Sequence, residues 1–190
     1  SLRVRQGETG VMGRSPKRGA EEFKQSVYLA RRIVTDLLIG FDMTSFFCLA
    51  GPVPGSCDMG IVDPLRDYAP RRAVRTLQVM TRLFDSKTVF QRYSGIELVE
   101  PTPFNIVSRH YTKELLTGAV TAGFLRNDIP LYVYYYPENP ALEFGMQRID
   151  LRVWTDNERR LEKPILIDSV TGKIYRIKLK MEEVYDESQG

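Results

Sequence analysis

The sequence predicts an α/β unit followed by an all-β unit, and three observations lead to this fold class. Two strand-like runs, residues 3–10 and 43–49, alternate with two helical patterns in the first half of the chain. Helical periodicity stops near Lys87, where β-branched and aromatic residues take over. One carboxylate, Glu8, ends the first strand, which is where a (β/α)8 barrel carries its catalytic residues. We therefore expect the last two β/α units of a TIM-type barrel, followed by an antiparallel β-sandwich.

The first predicted helix begins after Pro16 and Gly19 and ends at Gly40. Apolar residues recur along it at intervals of three and four, and polar residues fill the remaining positions, so we expect one stripe to pack on a sheet. The predicted apolar stripe is Phe23, Val27, Ala30, Val34, Leu37 and Leu38, and the predicted polar face includes Lys24, Gln25, Arg31, Arg32 and Asp36.

A loop rich in glycine and proline, residues 51–60, follows the second strand. The second predicted helix begins at Pro70, a favourable residue at a helix start, and ends near Asp85. Its apolar stripe is predicted to be Val74, Leu77, Met80, Thr81 and Phe84.

Two hairpins are predicted in the second half of the chain. Residues 119–126 and 131–136 flank the turn signal Asn127-Asp128, and residues 164–168 and 173–178 flank a turn that contains Gly172. Short strands separated by closely spaced turns are typical of an antiparallel sandwich. The predicted units are therefore 1–86 for the β/α units, 87–184 for the β-sandwich and 185–190 for a flexible tail.

Composition argues against several functional classes. The net charge of +3 comes from 27 basic and 24 acidic residues spread along the chain, whereas a nucleic-acid-binding protein gathers its basic residues on one face. No apolar run approaches the length of a membrane span. One histidine and two cysteines do not supply the four ligands of a structural zinc site, and we expect no cofactor. A disulfide between Cys48 and Cys57 is conceivable, but two buried free thiols are the favoured interpretation.

Three stretches occur in an order that carries more information than any one of them. They are Arg5-Gln-Gly-Glu8-Thr-Gly10, then Gly60-Ile-Val-Asp63 with the helix from Pro70 to Asp85, then the hairpin of residues 164–177. Together these stretches resemble the C-terminal part of clan A retaining glycoside hydrolases, which are (β/α)8 barrels often followed by a β-sandwich. The resemblance covers most of the chain.

The resemblance implies that Glu8 is the nucleophile of a retaining hydrolase. Retaining hydrolysis needs two carboxyl groups about 5–5.5 Å apart, one to attack the anomeric carbon and one to protonate the leaving oxygen. In the family the acid/base follows the fourth barrel strand, which this chain lacks, so we expect a fragment that is inactive when isolated. Phe46 and Phe47 lie where the family often has a sugar-stacking tryptophan, and Asp58 and Asp63 could line the cleft without matching the motif.

Adjacent residues of a strand face opposite sides, so at most one of Phe46 and Phe47 is expected to contact a ligand. The same alternation puts Tyr132, Tyr134 and Tyr136 on one face of their strand and Val133 and Tyr135 on the other. One of these faces is expected to be core.

The expected partners are a carbohydrate substrate and either a missing N-terminal barrel segment or a second copy that covers the open barrel edge, with no nucleic acid and no membrane. The competing interpretation is a non-catalytic carbohydrate-binding or structural interaction protein, with a degenerate barrel remnant and an accessory sandwich.

Overall fold

The structure, a computed structural model, describes residues 5–9, 18–41, 43–50, 59–91, 95–98, 120–137, 151–153 and 163–178. For residues 5–9, 18–20, 97 and 98 the description is of the backbone alone. The helices of these residues are α1 (Arg18–Leu38), α2 (Arg72–Leu83) and a 3-10 helix, Pro64–Arg66. The strands are β1 (Arg5–Thr9), β2 (Met43–Phe46), β3 (Val62–Asp63), β4 (Ala69–Pro70), β5 (Thr88–Gln91), β6 (Ile96–Leu98), β7 (Val120–Arg126), β8 (Ile129–Tyr135), β9 (Leu151–Val153), β10 (Ile165–Ile167) and β11 (Ile174–Arg176).

The first part of the fold is a β–α–β unit, as the sequence predicted. β1 and β2 are parallel neighbours, and α1 lies between them in the sequence. Arg5 pairs with Met43 and Thr9 pairs with Phe46, so the C-terminal ends of both strands lie at the same edge. A parallel bridge between Ala50 and Val62 brings the start of β3 beside the chain that leaves β2.

The end of α1 follows from Gly40, which has a φ of 82°. The N–H of Phe41 donates to the carbonyl of Asp36 at 2.8 Å, and the N–H of Gly40 donates to the carbonyl of Leu37 at 3.2 Å. This pair of bonds is the Schellman motif, in which a residue with positive φ satisfies the last carbonyls of a helix. Glycine adopts that conformation without steric cost, so the sequence signal for the helix end is confirmed.

The buried face of α1 differs in phase from the predicted stripe. Phe23, a predicted core residue, is 38% exposed, whereas Gln25, a predicted surface residue, has no exposed area. The spacing of three and four is retained, but the buried positions are Gln25, Ser26, Leu29, Ala30, Val34 and Asp36. α1 therefore packs inward on a face that mixes apolar and polar side chains.

Two apolar clusters join α1 to α2 and to the strands. In the first cluster Leu29, Ile61 and Ala73 are buried, with Phe46 and Leu77 among the side chains packed against them. The second cluster is built on Ala30, Val34 and Met80, and its outer members include Phe84, Val133 and Tyr135.

β5, β7 and β8 form a three-stranded antiparallel sheet. Asn127 and Asp128 connect β7 to β8, and both have positive φ, which confirms the predicted two-residue hairpin turn. Val133 and Tyr135, on one face of β8, pack against the helices, and Phe124 contacts Phe84 edge to face with ring centroids 5.0 Å apart. The face of the sheet that bears Phe124, Val133 and Tyr135 is therefore core.

The predicted fold class is wrong. Within the described residues, apart from the Ala50–Val62 bridge, β1 and β2 are the parallel pair, and every other strand pairing is antiparallel. The strands after Lys87 form the three-stranded sheet and the separate pairs β6–β9 and β10–β11. These small sheets and two α-helices are not the last two units of a TIM-type barrel followed by a β-sandwich.

The fold class was predicted wrongly because an alternating sequence pattern carries limited information. An alternating strand has one buried face, but the pattern does not say whether a second sheet or a helix covers that face. Here α1 and α2 cover it, through the contacts of Val133, Tyr135 and Phe124. The division into units 1–86, 87–184 and 185–190 stays a prediction, and the last of these lies outside the described residues.

Candidate functional site

Glu8 lies one residue before the C-terminal end of β1. The register of β1 against β2 shifts between Gln6 and Thr9, because three residue steps of β1 match two steps of β2 from Thr44 to Phe46. The extra residue of this bulge is therefore Gly7 or Glu8. Bulges are over-represented next to active sites, where they redirect a side chain. The backbone thus brings Glu8 to the shared C-terminal edge of the two parallel strands.

Phe46 and Phe47, the predicted aromatic ligands at this edge, differ in environment. Phe46 packs against the cluster of Leu29, Ile61 and Ala73, whereas Phe47 is 46% exposed. The peptide bond between Phe47 and Cys48 is cis. Phe47 directly follows β2, which ends at Phe46, and it is the more exposed of the two rings.

Cys48 is half-buried, and its thiol donates to the carbonyl of Ala50 at 3.1 Å. Cys57 lies outside the described residues, as do the predicted ligand Asp58 and most of the loop that contains both.

The C-terminal end of that loop is held by two buried side chains. Gln25 Nε2 donates to the carbonyls of Met59 and Gly60 at 2.9 and 3.2 Å. Arg71 Nη1 donates to the carbonyl of Gly60 at 2.7 Å, and the backbone N–H of Arg71 donates to the carbonyl of Ile61 at 2.9 Å. Because helix α1 and the start of helix α2 both bind this segment, the loop returns to β3 at a fixed position.

Asp63 is a structural residue in this arrangement. Its Oδ1 accepts a hydrogen bond from the N–H of Leu65 at 3.1 Å and lies 3.9 Å from Arg71 Nη2, with both charged side chains buried. Asp63 thereby caps the 3-10 helix and balances the charge of Arg71.

Asp36 is a second buried carboxylate with assigned partners. Thr44 Oγ1 donates to Asp36 Oδ2 at 2.6 Å, Arg32 Nε donates to the same oxygen at 3.0 Å, and Arg32 Nη2 lies 2.7 Å from Oδ1. The sequence pattern predicts Asp36 and Arg32 on a solvated helix face. It does not reveal the burial of Asp36 and Gln25, because a polar residue on a helix indicates a surface position unless its distant partner is known.

Tyr134 lies on the face of β8 opposite Val133 and Tyr135, and Tyr136 directly follows the strand. Burial raises the pKa of Tyr134 above the usual value of a tyrosine. Burial also raises the pKa of Tyr136, and the neighbouring Tyr134 adds to the effect. Trp154 lies outside the described residues.

The part of the chain that the structure describes has neither a cluster of metal-binding side chains nor a membrane-spanning helix. No group of three or more histidine, cysteine, aspartate or glutamate side chains there is arranged to hold a metal ion. Neither of the α-helices described is long and apolar enough to cross a membrane.

Comparison with known proteins gives no assignment: no family model, no curated protein and no solved structure matches this chain.

Proposed function

We propose that this chain carries the nucleophile of a retaining glycoside hydrolase, that Glu8 is this nucleophile, and that the substrate is a carbohydrate. The observation that supports the proposal is the parallel register of β1 and β2, which brings the end of β1 beside Phe46. In α/β proteins ligands bind beyond the C-terminal ends of parallel strands. Glu8 and the exposed ring of Phe47 lie at that edge of the pair.

The chemistry requires a carboxylate and a surface that orients the sugar. The carboxylate of Glu8 would attack the anomeric carbon, forming an ester bond to C1 as the bond from C1 to the leaving oxygen breaks. Water would then hydrolyse the ester and restore the carboxylate. An exposed phenylalanine such as Phe47 offers an apolar face on which a pyranose ring can stack.

The second carboxyl group, the acid/base, is proposed to lie outside this chain. Asp36 and Asp63 are buried and lie beside Arg32 and Arg71, so neither carboxyl group is accessible to a leaving oxygen at the surface. The isolated chain is therefore expected to hydrolyse no ordinary aryl glycoside. Another polypeptide segment or a partner subunit would complete the site.

A mechanism-based label tests the nucleophile separately from the acid/base. We propose incubating the chain with a panel of 2,4-dinitrophenyl 2-deoxy-2-fluoroglycosides of glucose, galactose, mannose and xylose. Dinitrophenolate leaves as an anion without a proton donor, and the fluorine slows hydrolysis of the glycosyl-enzyme. The expected result is a single fluoroglycosyl adduct on the peptide that contains Glu8, detected by mass spectrometry.

Glu8→Gln is expected to abolish the adduct. The matched control is Glu21→Gln on α1, where the carboxylate pairs with Lys24 at 2.8 Å; this variant should label like the original chain. An adduct that persists in Glu8→Gln, or no adduct with any sugar of the panel, overturns the proposal. Retained binding to soluble polysaccharide without labelling would support the alternative, a non-catalytic carbohydrate-binding protein.

A further inference from the structure

The structure brings together two segments of the chain that are rich in basic residues. Residues 71–84, which include α2, contain four arginines and no acidic residue. Residues 163–178, which include the β10–β11 hairpin, contain four basic residues and one aspartate. The rest of the chain has 19 basic and 23 acidic residues, so the nearly balanced composition conceals one strongly positive part.

The turn of the hairpin contacts α2, and this contact joins the two segments. Thr76 Oγ1 donates to the carbonyl of Val170 at 3.3 Å, and the guanidinium of Arg75 lies against Gly172. Asp168, the aspartate of the second segment, accepts hydrogen bonds from two N–H groups of its own turn. The basic residues of the hairpin and of α2 therefore belong to adjoining surfaces.

Three arginines lie on the exposed side of α2. Arg75 and Arg82 follow Arg72 by three and ten positions, which puts all three on one side of the helix, and all three side chains are exposed. The fourth arginine, Arg71, is buried, and its Nη2 lies 3.9 Å from Asp63 Oδ1, so its charge is balanced inside the protein. The exposed side of α2 is therefore positive along its length.

One face of the hairpin combines aliphatic and basic side chains. Ile165 pairs with Arg176 and Ile167 pairs with Ile174 across the two strands, and residues that pair directly share a face. Ile165 is 53% exposed and Ile174 is 64% exposed, and Arg176 is also exposed. We call this side of the hairpin, defined by these four residues, the ribbon face.

The ribbon face extends beyond the ends of the two strands. The N–H of Ile177 donates to the carbonyl of Pro164 at 3.3 Å, so the pairing continues past Arg176. Because side chains alternate along a strand, the exposed Lys178 lies on the same face as Arg176. The same alternation puts Asp168, which directly follows β10, on the opposite face. No carboxylate within the hairpin therefore offsets the charge of the ribbon face.

We propose that the ribbon face and the exposed arginines of α2 bind the surface of a bilayer that contains anionic phospholipid. The isoleucines would lie at the boundary between headgroups and acyl chains, and the basic side chains would contact the anionic headgroups. Exposed apolar side chains bordered by polar groups mark membrane or protein contact sites, and positive charge favours an anionic leaflet. Such peripheral binding needs no membrane-spanning segment, although it replaces the expectation, drawn from the sequence, of no membrane partner.

The composition of the ribbon face favours lipid over other partners. A second copy of the same face would bring like charges together, which is destabilising. Single-stranded nucleic acid binds where aromatic rings stack on its bases, but the aromatic residue of β11, Tyr175, pairs with Leu166 on the opposite face. Exposed isoleucines gain most from an apolar surrounding, which acyl chains provide. This binding does not depend on the chemistry of Glu8.

Sedimentation with vesicles tests the proposal. The full chain is mixed with vesicles of phosphatidylcholine alone, or of phosphatidylcholine with about 30% phosphatidylserine. We expect the chain to sediment with the anionic vesicles and to stay in solution with the neutral ones. Binding should weaken as salt is raised from about 0.15 M to about 1 M, because salt screens the attraction. A chain that does not sediment with the anionic vesicles overturns the proposal.

Two pairs of variants assign the binding to the ribbon face. Arg176→Gln should weaken binding about fivefold, the effect of one basic residue near an anionic surface, whereas Arg152→Gln, at an exposed position of β9, is the matched control. Ile174→Ser should also weaken binding about fivefold without changing the charge. Its control is Ile129→Ser on β8, because Ile129 is 68% exposed. Both controls should bind within about twofold of the original chain.

Each contrary outcome overturns a stated part of the proposal. Equal binding by Arg176→Gln and Arg152→Gln overturns the assignment to the ribbon face. Unchanged binding by Ile174→Ser overturns the placement of the isoleucines among the lipids. If a single-stranded oligonucleotide displaces the chain from anionic vesicles, and Arg176→Gln weakens its binding while Ile174→Ser does not, the surface binds nucleic acid and the assignment to lipid is wrong.

Discussion

The hydroxyl of Thr44 on β2 donates a hydrogen bond of 2.6 Å to the carboxylate of Asp36 near the end of α1. Arg32 pairs with the same carboxylate, which is 1% exposed. A buried carboxylate is tolerated when charge and hydrogen bonds compensate for lost solvation. Because Asp36 and Thr44 lie on either side of the turn at Gly40, their bond sets where β2 begins, and β2 in turn pairs with the strand that carries Glu8.

Thr44→Val is expected to lower the free energy of unfolding by about 1–3 kcal/mol, because it leaves Asp36 without one of its buried donors. Thr81→Val is the matched control, since the hydroxyl of Thr81 is exposed and bonds to the carbonyl of Leu77 in its own helix. Urea unfolding followed by circular dichroism measures both losses. Equal losses in the two variants would show that the bond to Asp36 contributes no more than an exposed one.

Gly172→Ala tests the contact between the β10–β11 turn and α2. Gly172 has a φ of 71°, and a Cβ atom there would lie 2.7 Å from Arg75 Nε. Gly40→Ala, at a φ of 82° with open space around it, measures the backbone cost alone, which is about 1–2 kcal/mol. We expect Gly172→Ala to be the more destabilising variant in urea unfolding, because it must also displace Arg75. In an Arg75→Ala background the difference between the two glycine variants should disappear; if it persists, Arg75 is not its cause.

Asp85 is expected to contribute a pH-dependent part of the stability. The backbone N–H of Lys87 lowers the pKa of Asp85, burial opposes this effect, and the hydrogen bond from Arg126 at 2.8 Å lowers it further. A lowered pKa in the folded state stabilises the fold above the unfolded value of about 3.9, and this contribution is lost as the pH falls through the folded pKa. The gap in urea midpoint between the original chain and Asp85→Asn should therefore shrink from neutral pH toward about pH 2.

Arg126→Met separates the two causes of that shift. It removes the guanidinium but keeps the bond from the N–H of Lys87, which is the largest cause. Most of the pH dependence should therefore survive in Arg126→Met. Complete loss of the pH dependence in Arg126→Met would show that the N–H of Lys87 is not the largest cause of the lowered pKa of Asp85.

The raised pKa of Tyr134 predicts that the fold loses stability in alkali. Burial raises the pKa of Tyr134, so the folded state favours the neutral phenol. The stability this provides is fully present below the unfolded value of about 10 and is lost as the pH rises through the folded pKa. Tyr134→Phe cannot ionise, so its alkaline unfolding midpoint should lie at higher pH, and Tyr68→Phe at an exposed position is the control for loss of one hydroxyl. An unchanged midpoint in Tyr134→Phe would contradict the expectation.

The elements of this fold were predictable where their signals are local. Gly40 ends α1 through its own backbone conformation, and Asn127 and Asp128 form the turn that their residue types favour. The fold class was not predictable in this way, because it depends on what covers each face. The hydroxyls of Thr35 and Tyr135 lie 2.9 Å apart although 100 residues separate them in the sequence. No local pattern contains that contact.

The same distinction between local signals and distant contacts applies to the candidate site. The position of Glu8 at the end of β1, and the parallel neighbour that follows α1, could be predicted from the alternation of strand and helix. Gln25 could not, since its partners are the carbonyls of Met59 and Gly60 more than thirty residues away. A polar side chain is buried when a distant acceptor satisfies it, and periodicity alone assigns it to solvent.

Two adjacent phenylalanines provide the last test, because the structure gives them opposite environments. Phe46→Ala should lower the free energy of unfolding by about 2–4 kcal/mol, since Phe46 packs on the cluster of Leu29, Ile61 and Ala73. Phe47 is 46% exposed, so Phe47→Ala should lower the free energy of unfolding by about 1 kcal/mol or less.

If Phe47 stacks on the sugar as proposed, Phe47→Ala should instead slow the labelling of Glu8 by about tenfold, which corresponds to one aromatic contact. Urea unfolding and the rate of adduct formation separate the two roles. A labelling rate in Phe47→Ala equal to that of the original chain would exclude Phe47 from the sugar site and leave the assignment of Glu8 to its own test.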